Sequence, residues 1–74
     1  MAVVALAGGA SGNTGALAVN NGFYIASGKV SLSTDAGTTK IPFDAPDKVI
    51  VSAGLTVHYY NDSPVPAEFR YMPL

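Results

Sequence analysis

Residues 16–43, ALAVNNGFYIASGKVSLSTDAGTTKIPF, decide the fold. Short apolar runs alternate there with turn formers, and no helical period persists. Residues 16–19 run into Asn20-Asn21-Gly22, whose Asn-Gly pair supplies the positive φ angles of a tight turn. Residues 23–26 meet Ser27-Gly28, a second turn dipeptide. In residues 29–34, Val30 and Leu32 fall on one face and Ser31 and Ser33 on the other. Asp35-Ala36-Gly37 predicts a third hairpin, and Pro42 marks residues 38–43 as an edge strand or a strand end. Beyond the next turn, Asp44-Ala45-Pro46-Asp47, residues 48–52 and 55–60 flank Ala53-Gly54, a hairpin turn or a bulge. The expectation is all-β: a small antiparallel meander, sandwich or barrel over residues 16–60.

Two flanks surround this domain. Residues 1–15, MAVVALAGGASGNTG, join a short apolar run to a glycine-rich link and predict an extended N-terminal arm. Residues 61–74, NDSPVPAEFRYMPL, hold three of the five prolines and predict an extended C-terminal tail. The tail suits β-augmentation of a neighbouring copy, or alternatively folds back as the domain's own last strand.

The expected inward set of the middle domain is Val19, Phe23, Ile25, Val30, Leu32, Ile41, Phe43, Val49, Val51, Leu55, Val57 and Tyr59. Their burial offsets little more than the backbone entropy of the residues they order. Val3, Val4, Leu6, Phe69, Tyr71, Met72 and Leu74 in the flanks are then expected at an interface with another copy or a partner. In 74 residues there is room for one domain, and with no cysteine there is neither a disulfide nor a thiolate to staple it.

Charge narrows the function classes. Only 12% of residues are charged and the net charge is −1, so no basic footprint for nucleic acid exists. The apolar opening lacks a basic start and the length of a signal or a membrane span, which predicts a product that stays in the cytoplasm where it is made, away from membranes. His58 with Asp62 and Ser52 or Ser63 is the nearest approach to a nucleophilic set, but Asp62 lies four positions beyond His58 along an extended strand, which holds the two side chains apart. Neither an enzyme, a cofactor nor a metal site is expected: one histidine and dispersed carboxylates, Asp44 and Asp47 included, make no ligand pattern. Ser27-Gly28-Lys29-Val30 lacks the earlier glycine and the hydroxyl of a phosphate loop. Tyr59 and Tyr60 with Asp62 form an alternative candidate, a shallow polar groove for a carbohydrate or other ligand.

Alanine, glycine, serine and threonine supply 30 of the 74 residues. With an arm at each end (residues 1–15 and 63–74) around the β-pattern of 16–60, the chain resembles the decoration (cement) and minor structural proteins of tailed bacteriophage particles. That resemblance implies a virion protein, a homo-oligomer (often a trimer) that bridges the subunits of a major capsid protein. The expected function is structural assembly.

Overall fold

The computed structural model describes all 74 residues. Eight strands form: β1 (Ala2–Leu6), β2 (Ser11–Ala16), β3 (Asn21–Ser27), β4 (Lys29–Ser33), β5 (Ile41–Asp44), β6 (Asp47–Val51), β7 (Thr56–Tyr60) and β8 (Ala67–Pro73). Their pairing follows one rule along the chain. Ala2 lies opposite Tyr71, Ser11 opposite Tyr60, Asn21 opposite Val51 and Lys29 opposite Asp44. The two halves thus run beside each other as one long antiparallel hairpin with its tip near Asp35–Gly37. Rolled up, the hairpin sets β8 against β3 and β7 against β4. Two four-stranded sheets result, in the orders β1-β8-β3-β6 and β2-β7-β4-β5. This is the jelly-roll arrangement of two packed sheets.

The all-β expectation holds, as a sandwich and not a meander: β4 and β5 alone are consecutive strands that pair. The turn dipeptides mark places where the chain crosses between sheets. At Gly28, φ is 74°, and a Cβ would stand 2.8 Å from the Cβ of Ala67. Glycine is needed there on both counts. Ala53-Gly54 likewise joins strands of different sheets, β6 and β7, and is neither a hairpin turn nor a bulge.

The flanks are strands of the domain. The apolar start is β1, the glycine-rich link contributes β2, and the tail is β8, placed between β1 and β3. In β2 the bare position Gly12 serves packing: a Cβ there would stand 2.8 Å from Cε1 of Tyr59, so the missing side chain admits that ring. The accessible surface, 4126 Å², matches the ~4,200 Å² of a folded monomer of this mass, leaving no excess for extended arms.

The core takes side chains from both sheets. Phe23, Ile25, Val51, Ala67, Phe69 and Leu6 come from the first, and Val30, Leu32 and Val57 from the second, with Leu17 between them. Phe69 meets Tyr59 edge-on across the sandwich at 4.9 Å between ring centres, and Tyr71 stacks on Phe23 at 5.0 Å. Of the expected inward set, Val19, Ile41 and Leu55 are exposed instead. Val19 and Leu55 lie outside the strands, where alternation has no hold. Ile41 lies on edge strand β5, beside an opening of about 320 Å³ between β5 and β6 that Leu32, Phe43 and Val49 also line.

Candidate interaction surface

Strand alternation divides the seven residues expected at an interface. Val4 and Leu6 of β1, and Phe69 and Tyr71 of β8, share the inner face of the first sheet; Leu6 and Phe69 are buried core, Val4 and Tyr71 half-buried against it. These four are corrected to intramolecular packing: their flanks fold into the sheet. Val3, Met72 and Leu74 are exposed on the opposite side.

That outer face gathers several exposed apolar side chains. The register puts Gly22 between Met72 of β8 and Ile50 of β6, so a residue without a side chain separates two large ones. A shallow groove of about 740 Å³ forms over Gly22, walled by Met1, Tyr24, Ile50, Met72 and Leu74. Leu74 Cδ2 lies 3.3 Å from where a Cβ on Gly22 would be. Ile50 is 69% and Leu74 67% exposed, an unusual clustering for large aliphatic side chains. The polar boundary is sparse. Arg70 pairs with Glu68 at 3.1 Å, while Lys48 has no carboxylate within ion-pair distance. Tyr24 and Ile50 could have been found from the sequence. Each is the middle member of an apolar run (Phe23-Tyr24-Ile25, Val49-Ile50-Val51) whose neighbours point inward, and period 2 turns the middle one out.

The second candidate does not assemble. Tyr59 faces the core, against Phe69, whereas Tyr60 lies on the outer side of the second sheet. Lys40 Nζ covers the Tyr60 ring at 4.1 Å and reaches Asp62 Oδ2 at 2.8 Å, so the cation takes both groups at once. Ser63 Oγ accepts the Val65 N–H at 2.9 Å, and Ser52 is on the exposed connection after β6. His58 is on the outer face beside Ser33 and Asn13. No three histidine, aspartate or glutamate side chains converge.

Asn61 has a structural role that its sequence context does not display. Asn61 is fully buried, and its side-chain amide donates to the carbonyls of Leu6 (3.1 Å) and Val65 (2.8 Å). Its Oδ1 accepts the Ser63 N–H at 3.1 Å. Asn61-Asp62-Ser63 spells a glycosylation acceptor, yet its amide already donates to Leu6 of β1 and to Val65 within the β7–β8 connection.

The hairpin tip is organised by Ser33 and Asp35. Ser33 Oγ–H donates to Asp35 Oδ1 at 2.6 Å, the Gly37 N–H donates to Ser33 Oγ at 2.9 Å, and the Thr39 N–H donates to Asp35 Oδ1 at 2.8 Å. The Ser33 hydroxyl first, and then the Thr39 amide, hold the Asp35 carboxyl below the usual carboxylate range. A lowered carboxylate contributes stability above its unfolded pKa and loses it as pH falls through the folded one. Asp35→Asn is therefore expected to be less stable than wild type at neutral pH, with the gap closing below about pH 4. Urea titrations at a series of pH values measure it, and a gap independent of pH would count against the charged acceptor.

Comparison with protein-family models, with curated proteins and with solved structures finds no match.

Proposed function

We propose that the chain is a structural assembly protein of a virion, of the decoration or cement type, which associates with copies of itself and seats on a major capsid protein through the outer face of its first sheet. The observation that carries this reading is the apolar groove over Gly22, with Ile50, Met72 and Leu74 exposed around it. An exposed apolar cluster on a folded domain marks a surface for another macromolecule. The low charge of the chain supports the same reading, since little polar surface would have to be dehydrated on contact. Jelly rolls serve both capsid and lectin domains, so the fold by itself does not choose between them. In the proposed mechanism, burial of this face between lattice subunits bridges them and resists their separation.

The test uses particles purified from the source. Mass spectrometry is expected to find the chain in them, with cross-links from Lys48 to the shell protein. Ile50→Asp, added to particles stripped of the chain, is expected to rebind at least about tenfold more weakly, a loss of ~1.4 kcal/mol. Its folding stability should stay within about 0.5 kcal/mol of wild type, as for other exposed sites. Absence of the chain from the particles, or equal rebinding of Ile50→Asp, would overturn the proposal.

A further inference from the structure

The sandwich has four edge strands, and three of them carry a feature that discourages further pairing. In β2 the register shifts between Asn13 and Ala16, and Gly15 has φ 70°. Pro42 interrupts β5, and β6 opens with Asp47 and Lys48. The fourth, β1, reads AVVAL, without proline or charge, and its register with β8 is unbroken from Ala2 to Leu6. Its other side faces no strand, which leaves a row of main-chain donors and acceptors open to pairing.

We infer that β1 is a self-pairing edge, and that its occupant is β1 of a second copy, antiparallel about a two-fold axis normal to the sheet. The uncharged edge admits an identical strand as its partner. Residues 1–7 hold no ionisable side chain, so identical strands meet without like-charge repulsion. A two-fold axis midway between Val4 and the partner's Val4 sets Val3 opposite the partner's Ala5 and keeps opposed residues on the same face of the joined sheet. Eight strands then run continuously, with both grooves over Gly22 on one side. The inference deepens the assembly reading and rests on it for the role of the pair, which is to present two contact faces to a lattice together.

The experiment is sedimentation equilibrium of the full chain between about 1 mM and about 1 μM, the range from weak to firm association, with amide exchange measured at both ends. Wild type is expected to form dimers, and exchange at residues 2–5 to slow as concentration rises. Ala5→Lys places an ammonium on the edge where Glu68 lies opposite it in β8, so the fold is kept while pairing is opposed. It is expected to raise the dimer Kd at least tenfold, and Ile50→Asp to leave it unchanged. A monomer at every concentration, open-ended aggregates, or equal dimerisation of Ala5→Lys would overturn the inference. Loss of the dimer in Ile50→Asp alone would also overturn it while sparing the assembly reading. A dimer with no chain in particles would do the reverse. If Ala5→Lys fails to fold, exchange in wild type decides: protection at residues 2–5 that does not change with concentration rejects the edge.

Discussion

Phe69→Ala is expected to destabilise the monomer by about 3–5 kcal/mol, the range for a large side chain removed from a packed core. The ring is fully buried on β8, at the centre of the first sheet, and stands 4.9 Å from Tyr59 and 6.1 Å from Phe23. Truncation leaves a void facing both sheets. Small domains have only about 5–15 kcal/mol in total, so a large part of the fold's margin is lost. Met72→Ala, on the same strand but exposed, is expected to stay within about 0.5 kcal/mol. Urea unfolding of both variants at high dilution, followed by circular dichroism, measures the contrast. A loss below 1 kcal/mol for Phe69→Ala would return that ring to an interface role.

Asn61→Ala is expected to cost about 2–4 kcal/mol, because two main-chain carbonyls lose their buried donor at once. Those carbonyls, Leu6 and Val65, belong to β1 and to the connection before β8. The Asn61 backbone adds bonds on the same corner, donating to Ala10 at 2.9 Å and accepting from Gly9 at 2.7 Å. Asn61→Leu restores apolar volume but no donor, so it should fare no better. The amides around residues 6–10 should exchange faster than those of β3 in both variants. Stability equal to wild type in Asn61→Ala would mean that solvent reaches the corner.

Strand content could be read from alternation and turn residues, since both are local. Phe23, Ile25, Val30 and Leu32 were placed inward on that basis and are buried. Pairing could not be read in the same way, because Gly28 looks the same whether it closes a hairpin or carries the chain to the opposite sheet. Composition alone does not show that the bareness of Gly12 makes room for Tyr59. In the flanks, each apolar residue was counted as a surplus, although alternation within AVVAL and EFRYM already separates Leu6 and Phe69 from Val3 and Met72. The groove over Gly22 depends on which three strands lie side by side, and register was needed to bring Ile50, Met72 and Tyr24 together. The Tyr59–Tyr60 platform failed for a simpler reason: adjacent residues in a strand point to opposite faces.

The position of β8 between β1 and β3 bears on how the protein comes into being. Of the eight strands it is the last to leave the ribosome, yet it is the one that joins β1 to the rest of the first sheet. Until it emerges, β1 has no hydrogen-bonded neighbour, and Phe23 and Tyr59 lack the ring that packs against both. The first sheet therefore cannot close before the final strand arrives, and pairing of segments so far apart in the chain is of the kind that slows folding. Until β8 docks, the uncharged AVVAL segment has no neighbour of its own chain to pair with, and a segment of that kind is where unfinished chains associate with one another.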